Sequence, residues 1–288
     1  MLKIPSDLMI EQLEMAQMPL PKGICSEVQE LDFCTLTEVQ VKDREGATAI
    51  GREIGRYITV ETPKAYEIGE PAFEEIADLL ARRLRTMLGD KKRVLVLGIG
   101  NPNITPDSLG AKAVARLMVT RPLSPRPKDF ASVSALAAPV FGISGIESAE
   151  MAQGLTRVLQ PEAVILIDAM ATGSLDRLCK TIQLADSGLT PGGGVDNSRK
   201  EISASLLGVP VLSIGMPTVV DCRVLLRHAL ADDWEPYGVK LHPYEESLIA
   251  TPRQMEQATD MGAKIIAFAL NKALHGDLST EEILKYLY

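Results

Sequence analysis

The 288-residue chain lacks the features that announce several common classes of protein. Its four cysteines, Cys25, Cys34, Cys179 and Cys222, form no C-x-x-C pair. A structural zinc module or a disulfide framework is therefore disfavoured, and reduced, mostly buried thiols are expected. The three histidines, His228, His242 and His275, are widely separated and lack the i, i+4 spacing of a zinc-protease helix. No apolar run is long enough to cross a membrane, and Asp7, Glu11 and Glu14 interrupt the first residues. Neither a secretory signal nor a membrane span is expected, and the chain reads as cytoplasmic. Basic residues are in deficit: 30 Lys and Arg against 38 Asp and Glu leave a net charge of −8. Such a chain does not present the basic footprint that meets phosphates, so no direct nucleic-acid partner is expected. An acidic surface does attract a cationic partner at low salt.

What the chain does have is alternation of buried strands and amphipathic helices. RVLVLGIG, AVILIDAM and PVLSIGMPTV are continuous apolar runs, the pattern of parallel strands covered on both faces. LTEVQVKD and GRYITVETP read as two antiparallel edge strands separated by REGATAIG, SVSALAAPV as one more strand, and TIQLADSG as an antiparallel edge strand. In PAFEEIADLLARRLRTMLG, Phe73, Ile76, Leu80, Leu84 and Met87 recur every three or four residues before Gly89, which predicts a capped helix. Further helices are expected over 109–120, 150–159 and 199–207, in a long stretch from Thr251, and in STEEILKYL, where Ser279 and Glu282 form a capping box. The alternation predicts a three-layer α/β fold with a mostly parallel central sheet and antiparallel edge strands. Residues 1–30 carry no sustained period and read as a loosely held N-terminal arm with a short helix near 7–17. Residues 31–288 read as a single α/β domain.

In such a sheet, ligands bind beyond the carboxyl ends of the strands. Two runs lead to carboxylates there, VLVLGIG to Asp107 and VILI to Asp168. Two shielded carboxyls facing one crevice do not both ionise cheaply, so one holds a proton while the other acts as a base. Such a pair activates water and protonates a leaving amine. The competing reading is that each aspartate caps a helix or fixes a loop. Asp221 is a reserve carboxylate in the same direction. GIGNPN lacks both the dinucleotide spacing and the Walker lysine, so its glycines are expected to permit close backbone approach, with Asn101 and Asn103 holding the turn or orienting Asp107. Gly192, Gly193 and Gly194 open a second irregular loop that suits close approach of an extended ligand. GISGIES misses the serine-hydrolase elbow.

Long segments then carry a resemblance. LGIGNPNITPDSLG, SALAAPVFGISGIES, VILIDAMATGSLDRLCKTIQLADSGLTPGGGVDNSRKEIS and LGVPVLSIGMPTVVD occur in one order and resemble the germination protease family. EVQVKDREGATAIGREIGRYITVETP and ATPRQMEQATDMGAKIIAFALNKALH are similar to flanking parts of that family. The resemblance implies an aspartic-type endopeptidase with a hydrogenase-maturation-protease-like core, which degrades small acid-soluble spore proteins inside the developing or germinating spore. It implies Asp107 and Asp168 as the essential pair and no cofactor or resident metal, with a metal-assisted version as the alternative. Developing oxyanion charge needs backbone N–H donors, expected around Asn101 to Asn103 and in Gly192 to Gly194. The resemblance also implies a tetrameric zymogen that cuts its own N-terminal segment, here in SDLMIE between Asp7 and Leu8. Met9 and Ile10 stand where smaller residues are usual, and GGGVDN and the Val220–Leu248 region depart from the family pattern. The alternatives are a non-proteolytic binding or structural protein on this scaffold, or a processing protease for another precursor. Retention of both aspartates favours the enzyme.

Overall fold

The computed structural model describes residues 6–16, 19–195, 199–230, 248–276 and 278–287. His242 and most of the divergent Val220–Leu248 region lie outside these residues. The strands are β1 (Ile24–Glu30), β2 (Thr35–Val41), β3 (Gly55–Glu61), β4 (Arg93–Ile99), β5 (Ser132–Ala138), β6 (Ala163–Thr172), β7 (Thr181–Ala185), β8 (Val211–Asp221) and β9 (Ile249–Ala250). They form one sheet in the order β1-β2-β3-β7-β8-β6-β4-β5, with β9 paired to β8. Strands β8, β6, β4 and β5 run parallel. The remaining strands continue the sheet antiparallel.

The apolar runs sort onto two faces, as period-2 geometry requires. Val94, Val96, Ile165 and Ile167 join one core, under helices α3 (Glu70–Leu88), α4 (Leu109–Val114) and α9 (Met255–His275). Leu95, Leu97, Ile99, Val164 and Leu166 join the other, under α6 (Ser148–Leu159) and α7 (Ala204–Leu207). Fully burying such side chains stabilises by about 1.5–3 kcal/mol each, an upper estimate against an extended chain. The antiparallel half is covered on this second side by α1 (Met9–Met15) and α2 (Arg44–Ile50), around Val39, Val41 and Tyr57. The architecture is thus mixed α/β in three layers. Among the described residues no helix is long and apolar enough to cross a membrane.

Several local expectations change. REGATAIG is helix α2: Asp43 Oδ1 accepts from the Gly46 N–H at 2.9 Å, and Gly51 closes the helix at φ +68°. TIQLA is interior, because β3 covers the flank of β7 that faces away from β8. Ile24–Glu30, from the aperiodic arm, forms edge strand β1, and Leu8 and Met9 are completely buried. Helix α4 stops at Val114 because Asn271 of α9 takes over its last turn. The Asn271 Oδ1 accepts from Met118 N–H and its Nδ2 donates to the Arg116 carbonyl, both at 2.9 Å. Helix α9 starts at Met255, beyond Pro252, and the segment expected as a helix over 199–207 forms only the short α7. The Ser279–Glu282 capping box is present at 2.8 and 3.2 Å, opening α10 (Thr280–Leu287). The cysteines are free; Cys34 and Cys179 are buried, Cys222 is half-buried and Cys25 is exposed.

Candidate active site

The site begins where neighbouring strands stop together. In register, Gly98 of β4 faces Ile167 of β6, and β4 ends one residue later at Ile99. Strand β6 runs on to Thr172 beside β8. Asp168 therefore lies within its strand, one step past the last β4 pair, and it is only 8 % exposed. The sequence reading put it at a strand end; the crevice is instead made by its neighbour leaving. Its parity matches Val164 and Leu166, so it points to the face carrying α6 and α1.

Asp107 arrives from β4 through a tight turn. A Cβ on Gly98 would collide with the Gly110 carbonyl, and one on Gly100 with the Asp107 carbonyl oxygen. Gly100 also sits at φ +131°, where side chains are strained. These glycines let the chain fold back on β4 and set Asp107 at the end of a 3-10 turn, Thr105–Asp107. Asn101 N–H donates to Asp107 Oδ2 at 2.7 Å, and Asn103 N–H donates to Asn101 Oδ1 at 2.9 Å. The Asn101 N–H thus orients Asp107 directly, and the Asn103 N–H braces the Asn101 side chain within the same turn.

Asp107 and Asp168 line one cavity of about 430 Å³, together with Ile99, Ile104, Phe141, Gly192 and Gly194. Burial, then the charge of Asp107, then that of Asp7, push the Asp168 carboxyl well above its ordinary range, while the Ala169 N–H acts the other way. Burial also raises Asp107, opposed by the Asn101 N–H. The two carboxyls are therefore close enough to feel one another, and Asp168 is the weaker acid. Such a perturbed pair in a cavity is what acid–base chemistry needs.

Asp7 is the third acidic group. It lines the same cavity and, with Asp168, a second one of about 580 Å³ that includes Gly193, Arg52 and Gln183. Burial raises its carboxyl too, countered by Ala171 N–H and Arg52. Leu8 packs with Ile10 and Met170. Downstream, Glu11 Oε2 accepts from Gly173 N–H at 2.7 Å, and Arg177 grips Glu14 at 2.5 Å, so α1 is strapped beside β6. Sequence reasoning missed Arg52, Gln183 and Glu11. Only Gln183 left a signal, a large amide inside an otherwise buried strand.

Asp221, the reserve carboxylate, is not in either cavity. Arg223 holds it through Nε at 2.8 Å and Nη2 at 2.7 Å, an ion pair that ties the end of β8 to α8 (Cys222–Leu230). His275 is buried behind the sheet against the Met118 carbonyl at 3.1 Å, and His228 lies in the last turn of α8. Among the described residues no group of three or more His, Cys, Asp or Glu side chains is placed to hold a metal ion.

A family model described as germination protease matches residues 7–232. A germination protease of Clostridium perfringens is 34 % identical, the match covering 88 % of each chain. One of Caldanaerobacter subterraneus subsp. tengcongensis is 33 % identical over 100 % of this chain and 99 % of its own. One of Priestia megaterium is 30 % identical over 99 % and 97 %. Among solved structures, the [NiFe] hydrogenase maturation protease HycI of Thermococcus kodakarensis is similar over 65 % of this chain and 98 % of its own, at 17 % identity and a TM-score of 0.39. The family model and these relatives define the class as a peptidase, here on a mixed α/β fold. The chain belongs to the germination protease family.

Proposed function

We propose that this chain is the endopeptidase that begins degradation of small acid-soluble spore proteins during germination, with Asp107 and Asp168 as its catalytic pair. The observation that carries the reading is the shared cavity, in which Asp168 is the weaker acid of two interacting carboxyls. In this mechanism Asp168 keeps its proton and Asp107 is the base. Asp107 takes a proton from water as the hydroxyl oxygen bonds to the peptide carbonyl carbon. The Asp168 proton passes to the carbonyl oxygen, neutralising charge that backbone donors would otherwise meet. Collapse returns that proton to Asp168, Asp107 gives its proton to the departing amine nitrogen, and the C–N bond breaks. Gly192 is the loop residue best sited to add a backbone donor, because the Gly194 N–H already favours the charged form of Asp7. The apolar wall of Ile99, Ile104, Val140 and Phe141 suits an apolar residue beside the scissile bond.

The same reading makes the enzyme an aspartic-type zymogen of the spore interior, assembled as a homo-tetramer and processed between Asp7 and Leu8. It treats residues 1–30 as an N-terminal arm that carries the processing site, its end paired into the sheet as β1, and residues 31–288 as one protease domain. The test is incubation of purified chain with a small acid-soluble spore protein, followed by mass spectrometry of both. Cleavage of that protein, lost in Asp107→Asn, supports the assignment. Unimpaired cleavage by Asp107→Asn refutes the paired mechanism, and an intact substrate beside processed enzyme refutes the substrate.

A further inference from the structure

Residues Ser6 to Met9 lie in the crevice as a peptide lies in a groove. Asp7 N–H donates to the Ala171 carbonyl at 3.0 Å, and Ala171 N–H donates back to Asp7 Oδ2 at 2.8 Å. Gly194 packs against the same carboxylate, and its backbone N–H favours the charged form. Across the groove, Gln183 Nε2 donates to the Asp7 carbonyl at 3.1 Å, while its Oε1 accepts from Met9 N–H at 2.6 Å. Arg52 Nη2 donates to the Ser6 carbonyl at 2.6 Å, and its buried Nε has no partner.

Most of these bonds read backbone atoms, which any peptide carries. The exception is one carboxylate, met by two N–H groups beside a guanidinium, the geometry that strengthens hydrogen bonds to an anion. A Cβ on Gly194 would collide with the Asp7 carboxylate, so the glycine is what admits an acidic side chain. Asp7 and Asp168 line both cavities, so the seated segment divides one crevice into two parts.

We propose that Ala171 N–H, Gly194 N–H and Arg52 form the acidic-side-chain subsite of the peptidase groove, that Gln183 is its peptide-backbone clamp, and that Ser6–Met9 is their resident occupant. This rests on the proposed function and adds its specificity residues. Substrate and segment then compete for one place. Gln183 and Arg52 contact the bound peptide itself and hydrogen-bond neither Asp107 nor Asp168.

The test uses the full chain and two synthetic peptides identical except for Asp or Asn at one position. Fluorescence polarisation gives their affinities, and amide hydrogen exchange reports seating of residues 7 to 9. Arg52→Gln is expected to lower the Asp-over-Asn affinity ratio about tenfold, equivalent to ~1.4 kcal/mol, since its carbonyl bond and the competing segment are common to both peptides. Gln183→Leu is expected to leave that ratio as it is and to speed Met9 amide exchange at least tenfold. An undiminished Asp-over-Asn preference in Arg52→Gln, or unchanged Met9 exchange in Gln183→Leu, overturns the assignment. If these binding results hold but the wild type hydrolyses neither peptide, the proposed function fails and the subsite stands.

Discussion

Replacing Asp168 by Asn separates a catalytic from a structural role, because the two predict opposite signs of stability change. Asp168 is 8 % exposed, and burial, Asp107 and Asp7 together hold its carboxyl well above the ordinary 3.8. An aspartate whose folded value is raised binds its proton more tightly in the native state than in the unfolded one. Native stability therefore declines as pH rises from 3.8 through the raised value. Asparagine fills the same space without that penalty. The variant should match wild type below pH 3.8, gain on it as pH rises, and be the more stable protein at pH 7. Were Asp168 a structural hydrogen-bonding residue, its loss would instead cost about 1–3 kcal/mol, lowering Tm by roughly 2 °C or more per kcal/mol. Peptidase activity should meanwhile fall by ~10²–10⁴, the usual contribution of a positioned acid or base. The assays are chemical denaturation at several pH values and kcat/KM on a peptide substrate. A variant destabilised at pH 7, or one keeping a tenth of wild-type turnover, refutes the reasoning.

Two further outcomes follow from single atoms. Gly100→Ala should cost about 1–3 kcal/mol of strain and about 100-fold or more in activity, since a displacement of an ångström at the chemistry has that effect. Gly154→Ala, in α6 with nothing within 4 Å of the new Cβ, should be neutral or stabilising by about 0.5–1 kcal/mol; equal behaviour of both variants would sink the close-approach argument. His275 is 1 % exposed, and burial lowers its ring from 6.5 to about 4. The unfolded chain takes up that proton first, so the stability it contributes is complete above pH 6.5 and is lost as pH falls towards 4, roughly 3 kcal/mol in all. Urea titrations should show wild type losing more over that window than His275→Phe; parallel losses would contradict it.

The strands were legible because burial on both faces leaves no polar position to confuse the pattern, as in VLVLGI and VILI. Helix α3 was legible by its period. The helix in REGATAIG was not, because seven residues give too few turns for a period to emerge, and its Asp43 cap reads equally well as a turn. The termination of α4 depends on Asn271, a contact across more than 150 residues that no local pattern encodes. Asp107 and Asp168 could be nominated from sequence because each interrupts or follows an apolar run. Their common cavity depends on where β4 stops relative to β6, which is a matter of register. Asp221 follows an equally apolar run and has Arg223 two residues on, yet the sequence gives no means of telling a salt-bridged aspartate from a free one.

The position of Asp7 changes how the pair must be understood. Three carboxyl groups share one crevice, and Asp7 is one of the causes that hold Asp168 in its acid form. Removing a like charge makes the remaining carboxyl easier to ionise. Displacing Asp7 from the crevice would therefore remove one of the causes that raise Asp168. Seating of Ser6–Met9 and the protonation of the pair are thus one linked equilibrium, and any condition that shifts the first must shift the second.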